Sequence, residues 1–141
     1  MKIFGIGADI VNINRIKKSL TNKVFIKRIF NFVEINKCKN HINKANCFAK
    51  RFAAKEAFSK ALGTGISNGI NFNEIIVLNE KNGKPFIKLE GKTKKKIHRR
   101  LKKKAKISLS LSDEKKYAVA FVKCAAPAIL VKLTGVHEAE E

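Results

Sequence analysis

The stretch FAKRFAAKEAFSKALGTGI at residues 48–66 places one carboxylate among several cations. Lys50, Arg51 and Lys55 precede Glu56, and Lys60 follows it by four residues. On a helix, that spacing puts Glu56 and Lys60 on one face. Taken alone, the pair favours a surface salt bridge, worth roughly a few tenths of a kcal/mol. The alternative is a site at which a cation and a phosphate ligand require both signs of charge.

A second carboxylate lies in IFGIGADIV at residues 3–11. The alternation of a strand predicts Gly5, Gly7 and Asp9 on one face. Because two side chains are missing there, the space beside Asp9 suits a ligand or a metal ion. A closely packed strand whose Asp9 starts a turn or caps a helix is an equally open interpretation. A dinucleotide-binding motif is disfavoured, since Ile10 stands where its third glycine belongs.

Considered together, Asp9 and Glu56 are two of very few acids in the first 70 residues, and each has small neighbours. Two carboxylates with space between them suit Mg²⁺ when substrate phosphates supply further ligands. Lys60 and the amides of residues 63–65 are available to meet the phosphate charge. The sequence therefore predicts a site for chemistry at a diphosphate.

The elements that hold these residues are predicted from hydrophobic spacing. Residues 2–11 read as a buried strand that leads into a first helix. A second helix carries an apolar stripe from Phe25 to Val33, and a third, at about residues 45–62, ends at Gly63. The expected class is α+β, with an N-terminal strand and helices followed by antiparallel hairpins.

The second half contains two hairpin patterns, one around Asn82-Gly83 and one around a Ser-Asp-Glu-Lys turn. Between them, ten Lys or Arg residues run from Lys92 to Lys106 without an acid. Ile97 and Leu101 predict a short amphipathic helix there, whose basic face is best interpreted as solvated. We expect a single domain over residues 1–124 and an appended, irregular tail over 125–141.

Composition favours one globular domain with anionic partners. The chain has 141 residues, 45% hydrophobic content and a formal net charge of +20. No apolar run reaches transmembrane length, so no membrane association is expected. The three cysteines give no even disulfide framework and no signal peptide is evident, which predicts a reduced, cytoplasmic protein. A metal site at Cys38, His41 and Cys47 is disfavoured, since a fourth ligand is missing.

The motifs GIGADIV at residues 5–11 and FAKRFAAKEAFSKALGTGI, in this order and about forty residues apart, resemble the holo-acyl-carrier-protein synthase family of 4′-phosphopantetheinyl transferases. The resemblance continues through NGINFNEIIVLNEKNGKPFIKLEG and SLSLSDEKKYAVAFV, so it covers about residues 1–123.

This resemblance implies transfer of phosphopantetheine from coenzyme A to a serine of an apo acyl carrier protein, with release of adenosine 3′,5′-bisphosphate. It implies that Asp9 and Glu56 hold Mg²⁺. It also implies that Lys60 contacts the phosphates, either electrostatically or with a part in proton transfer. A homotrimer with active sites between subunits is implied as well, and fatty acid biosynthesis is the expected pathway.

Further positions match the family's pattern less specifically. By resemblance, Arg15 meets the acidic carrier protein, and Lys18 and Arg28 extend the basic patch. Glu34 stands where the family commonly has an acid that orients the metal shell, although a surface pairing with a lysine is an equally favoured interpretation. The remaining cofactor contacts are expected from Arg51, Gly63, Thr64, Gly65 and Ser108. Ser108 replaces a family histidine and carries no charge.

The competing interpretation is a basic nucleic-acid-binding module, which the sequence pI of about 10.2 supports. Phosphate-backbone binding gives no reason for Asp9 beside two glycines or for Glu56 in a basic helix. The chain also has a single Tyr and no Trp for base stacking. Nucleic acid is therefore not the expected partner.

Overall fold

Helices occupy the first half of the chain and hairpins the second. The computed structural model describes residues 1–63, 69–102 and 104–127. In chain order, the elements are β1 (Lys2–Asn12), α1 (Ile13–Ser19), α2 (Lys23–Ile29), α3 (Phe32–Lys39), α4 (Lys44–Leu62), a 3₁₀ turn (Phe72–Glu74), β2 (Ile75–Asn79), β3 (Pro85–Leu89), α5 (Gly91–Leu101), β4 (Lys106–Asp113) and β5 (Tyr117–Ala126). The predicted α+β class is confirmed.

Asparagine side chains begin the three short helices. The amide oxygen of Asn12 accepts from Arg15 N at the start of α1, and Asn22 and Asn31 cap α2 and α3 in the same way. The single second helix predicted across Phe25–Val33 is therefore wrong. The chain leaves helical geometry at Phe30 (φ −112°, ψ 142°), because Asn31 starts a new helix there.

The sheets are antiparallel. One has the order β1-β5-β4, so the N-terminal strand pairs with the last one, and the other is the β2-β3 hairpin. β5 extends to Ala126, which pairs with Lys2. The remainder of the predicted tail, residues 128–141, lies outside the described residues, and the boundary after residue 124 stays a prediction.

Helix α4 lies across the β1-β5-β4 sheet at very short range. A Cβ added at Gly5 would overlap the carbonyl oxygen of Ala61, and one at Gly7 would overlap that of Ala57. The interpretation of these glycines as space for a ligand is therefore wrong, because the helix backbone fills it. The facing residues of α4 are small and buried, namely Ala49, Ala53, Ala54, Ala57 and Ala61.

The opposite face of this sheet is apolar and exposed. Ile6, Ile10 and Phe121 are 73%, 63% and 57% exposed. Phe4, next to a register shift between Ile3 and Gly5, is buried in the core, where its ring lies under the Arg100 guanidinium. Among the described residues, one face of this sheet is buried under α4 and the other has no cover.

A disulfide joins Cys38 of α3 to Cys47 of α4, and Cys124 is a buried free thiol. The expectation that no cysteines pair is therefore wrong. An odd number of cysteines in the chain does not exclude one pair, and the packing of α3 on α4 brings two of them together. Among the described residues, no helix is long and apolar enough to cross a membrane.

Candidate active site

The predicted Asp9, Glu56 and Lys60 come together where β1 crosses α4. The ammonium of Lys60 lies 3.1 Å from Asp9 Oδ1 and donates to the carbonyl oxygen of Ala8 at 3.0 Å. The Asp9 side chain is 15% exposed, whereas that of Lys60 is 56% exposed. Glycines that bring the strand onto the helix therefore also deliver the strand's carboxylate to the helix's lysine.

Glu56 is affected by its burial and by the nearby Asp9 carboxylate. Burial raises the pKa of Glu56, the charge of Asp9 raises it further, and the charge of Lys60 acts in the opposite direction. Two carboxylates thus lie close enough for the charge of one to disfavour ionisation of the other in a partly buried place. A bound cation would relieve this repulsion.

Both carboxylates line a cavity of about 320 Å³ between β1, α1, α2 and α4. Arg15 and Ser19 of α1 lie on one side of it, and Phe25 on another. The described residues hold no group of three or more His, Cys, Asp or Glu side chains that could ligate a metal by themselves. Asp9 and Glu56 fit a cation that takes its remaining ligands from substrate and water, as Mg²⁺ commonly does.

The predicted basic surface surrounds this cavity. Arg15 lines it directly, while Lys18 is exposed on α1. Arg28 lines a second, larger cavity of about 580 Å³, formed by α2 and residues 69–73. Phe25 belongs to both cavities, so they are neighbours on one surface. Sequence reasoning assigned Phe25 only to an apolar stripe.

Glu34 has other neighbours. Its side chain is fully buried and contacts Lys55 Nζ at 2.6 Å. It also accepts from the backbone amides of Asn31 at 2.9 Å and Val77 at 3.0 Å. The interpretation of Glu34 as a surface acid is therefore wrong, although its pairing with a lysine is correct. A role at the metal shell stays a prediction.

Lys55 is the residue that sequence reasoning overlooked. It was counted with the cations around Glu56, yet it is fully buried. Its sequence signal was the spacing of Cys47, Arg51 and Lys55, four residues apart along one face of α4. All three are buried on the side where α4 meets α3.

Arg51 is 4% exposed and donates to Cys47 O, Cys47 Sγ and Asn79 Oδ1. Its Nε is buried and has no partner among the described residues. Lys37 also donates to Asn79 Oδ1, and burial, followed by the charges of Arg51 and Lys50, lowers the pKa of Lys37. These cations form a small positive cluster away from Asp9.

Gly63 ends α4 in the left-handed conformation at φ 75°, as predicted, and its amide donates to Lys60 O at 3.0 Å. Thr64 and Gly65 lie outside the described residues. Ser108 is exposed on the outer sheet face, where it lines a cavity with Ile6 and Phe121. Ser108 and Asp9 are therefore on opposite faces of the sheet within one chain.

The sequence and the fold both have close relatives. Residues 5–122 match the family model of the 4′-phosphopantetheinyl transferase superfamily. A holo-[acyl-carrier-protein] synthase of Pelagibacter ubique is 53% identical over 123 residues, which is 86% of this chain and 96% of that protein. One from Aliivibrio salmonicida is 43% identical over 86% of this chain and 97% of its own length.

Solved structures agree with the fold. A holo-[acyl-carrier-protein] synthase from Neisseria meningitidis superimposes with a TM-score of 0.77 at 37% identity, covering 87% of this chain and 98% of that one. One from Bacillus anthracis, in complex with CoA (3′,5′-ADP), has a TM-score of 0.74 at 36% identity and covers 90% of this chain and 100% of that one.

Proposed function

The chain belongs to the 4′-phosphopantetheinyl transferase superfamily, among its holo-[acyl-carrier-protein] synthases, and from this we propose the reaction that it catalyses. It transfers the 4′-phosphopantetheine group of coenzyme A to a serine of an apo acyl carrier protein, in a Mg²⁺-dependent reaction. The observation that supports this most is that Asp9 and Glu56 line one cavity, that the charge of Asp9 acts on Glu56, and that Lys60 pairs with Asp9.

In this reaction, the serine oxygen attacks the phosphorus that bears the pantetheine arm. The bond from that phosphorus to the oxygen bridging the diphosphate breaks, and adenosine 3′,5′-bisphosphate leaves with that oxygen. The serine proton passes to a base or to water. Phosphoryl transfer depends mainly on positioning and on stabilising charge, so the chain's work is to hold the diphosphate in line with the serine.

Asp9 and Glu56 would hold the metal. A bound Mg²⁺ supplies charge neutralisation on the diphosphate and a better leaving group. The raised pKa of Glu56 supports the proposal, since burial and, after it, the charge of Asp9 disfavour the ionised carboxylate that a bound cation would favour. Lys60, exposed and paired with Asp9, serves as a phosphate contact.

We propose that coenzyme A contacts residues in addition to Asp9, Glu56 and Lys60. We assign contacts with its phosphates to Lys60, to the segment at Gly63, Thr64 and Gly65, and to Arg51. The buried Nε of Arg51 has no hydrogen-bond partner among the described residues, and Lys37 adds charge beside it. Both features suit an anion.

The carrier protein docks, in this proposal, on the surface shared by the two cavities. Arg15 lies beside the carboxylates, and Arg28 lies across Phe25 from them. Lys18 adds charge on α1. The net charge of +20 favours rapid encounter with an acidic partner. The name of the relatives, holo-[acyl-carrier-protein] synthase, contains this carrier protein.

The active form proposed is a homotrimer, supported by the uncovered apolar sheet face at Ile6, Ile10 and Phe121. Ser108 lies on that face, so a neighbouring subunit would bring it toward a cofactor that it cannot reach in its own chain. The reaction is assigned to fatty acid biosynthesis in the cytoplasm.

The reaction is tested with intact-protein mass spectrometry of a carrier protein after incubation with this protein, coenzyme A and Mg²⁺. We expect a gain of one phosphopantetheine on the carrier and an equal amount of adenosine 3′,5′-bisphosphate. A carrier whose serine is replaced by alanine is the matched control and should stay unmodified.

The opposite result is a folded protein that modifies none of several carriers. If that protein also bound RNA with a steep salt dependence and no response to Mg²⁺, the nucleic-acid module would replace the transferase.

A further inference from the structure

A buried ion pair joins three parts of the fold. The ammonium of Lys55 donates to Glu34 Oε1 at 2.6 Å, to Phe72 O at 2.8 Å and to Ile75 O at 2.7 Å. A lysine has three donors, so all of them are used. Glu34 in turn accepts from Asn31 N and Val77 N. The pair therefore connects α4 and α3 with the backbone of residues 72–77.

Residues 69–73 form one wall of the 580 Å³ cavity, and α2 forms the other. Lys55 holds the first wall through the carbonyl of Phe72. The second wall contacts α4 as well, because the ring centroid of Phe25 in α2 lies 6.1 Å from that of Phe52 in α4. The width of the cavity thus depends on two contacts with one helix, and that helix also carries Glu56.

A gain in folding stability is a weak explanation for the buried pair of Glu34 and Lys55. Burying two charges costs much of what their attraction returns, and apolar replacements of buried ion pairs are often equally stable. Three directed hydrogen bonds from one atom, however, fix the backbone at Phe72 and Ile75 in a way that an apolar side chain would not. Burial lowers the pKa of Lys55 to about 8 and the charge of Glu34 opposes this, so at neutral pH the charged form persists.

We propose that Glu34 and Lys55 are positioning residues that hold the 69–73 wall at the distance required for the carrier protein to dock, and thereby set the KM for the carrier. This inference rests on the proposed function, and it gives the pair a role in carrier binding instead of in the chemical step. Under this inference, Glu34 does not belong to the metal site.

The test is the double variant Glu34→Gln with Lys55→Met, which removes both charges together and leaves neither unpaired. We expect the KM for the carrier to rise by about tenfold or more, equivalent to a lost factor of ten in binding, while the KM for coenzyme A stays within about twofold. Hydrogen exchange of the amides in residues 69–77 should accelerate, because their anchor is gone.

The matched control is Cys38→Ser. It breaks another link between α3 and α4, yet none of the hydrogen bonds among the described residues joins Cys38 to residues 69–77. We expect a loss of thermal stability without a change in the KM for the carrier. If the double variant fails to fold, Glu34→Gln alone keeps an acceptor for one amide and should raise this KM by a smaller factor.

Three results would overturn the inference. One is a double variant with the parental KM for the carrier and parental exchange. Another is a loss seen in kcat and in the Mg²⁺ dependence, which would place Glu34 at the reacting centre. The third is a similar rise in the carrier KM with Cys38→Ser, which would indicate general loosening. A parental protein that transfers nothing would instead refute the proposed function, and the inference with it.

Discussion

Asp9, Glu56 and Lys60 show how two carboxylates can be kept beside each other in a strongly basic chain. Lys60 pairs directly with Asp9, and it only partly offsets the effects of burial and of Asp9 on the pKa of Glu56. In the metal-free protein, ionising Glu56 beside Asp9 therefore costs free energy at the place where Mg²⁺ is proposed to bind. This cost makes the site testable without measuring turnover.

Mg²⁺ should stabilise the protein more as pH rises. Because the folded-state pKa of Glu56 is raised, the stabilising contribution of this group to metal-free protein is present at low pH and is lost as pH rises through that pKa. Metal binding requires the ionised carboxylates, so its stabilisation has the opposite trend. Thermal melts with and without Mg²⁺ across the acidic-to-neutral range measure both trends.

The comparison variant for these melts is Glu56→Gln. Without metal it should melt at or above the parental temperature at neutral pH, and it should lose most of the shift caused by Mg²⁺. A variant with the full parental shift would remove Glu56 from the metal site.

At the scale of elements, the contact between β1 and α4 determines where the carboxylates lie. Gly7→Ala should place a methyl group against the Ala57 carbonyl oxygen, force the strand away from the helix and destabilise the fold by about 1–3 kcal/mol. Urea unfolding measures this loss. Lys81→Ala, at an exposed position in the turn of the β2-β3 hairpin, should change stability little. Equal effects of the two substitutions would contradict the close-contact account.

The α3–α4 disulfide gives a second prediction at this scale. Reduction, or Cys47→Ser, should lower the free energy of unfolding by about 2–4 kcal/mol. Cys124→Ser leaves the disulfide intact and serves as the cysteine control. Because the cysteines are buried, thiols are titrated in denaturant, and reduction should add two thiols to the count. A protein that has three thiols before reduction would contradict the pairing.

Sequence patterns predicted much of this arrangement, and the failures have physical causes. Helical spacing and Gly63 correctly bounded α4, and Asn82-Gly83 correctly located a hairpin. Local patterns did not separate α2 from α3, since the apolar stripe continues across the break at Phe30. Nor did they indicate that Glu34 and Lys55 are buried together, because 21 residues separate the two and only the packing of α3 on α4 joins them.

At the scale of the whole molecule, the uncovered sheet face is the feature that one chain does not explain. Ile6, Ile10 and Phe121 lie on the face opposite α4, and Ser108 lies among them. Burial of this face against other copies would remove apolar surface from water and bring Ser108 into a shared site. In the proposed function, the homotrimer completes the cofactor pocket.

Ile6→Glu should break the homotrimer, because it places a charge in the apolar face that the subunits bury. Light scattering after size exclusion should give the mass of three chains for the parental protein and a smaller mass for the variant. Ile42→Glu is the matched control, since Ile42 is 94% exposed and outside this face. A parental monomer, or a variant that remains trimeric, would contradict the proposed assembly.

The most direct test of the central claim is the initial rate of phosphopantetheine transfer to a carrier protein as a function of Mg²⁺ concentration, for the parental protein, Asp9→Asn, Glu56→Gln and Glu80→Gln. Glu80 is an exposed acid in the β2-β3 hairpin and controls for lost charge. We predict a saturable Mg²⁺ dependence for the parental protein and Glu80→Gln, and rates at least about a hundredfold lower for the other two. Parental rates in Asp9→Asn or Glu56→Gln would show that the reaction does not use this pair.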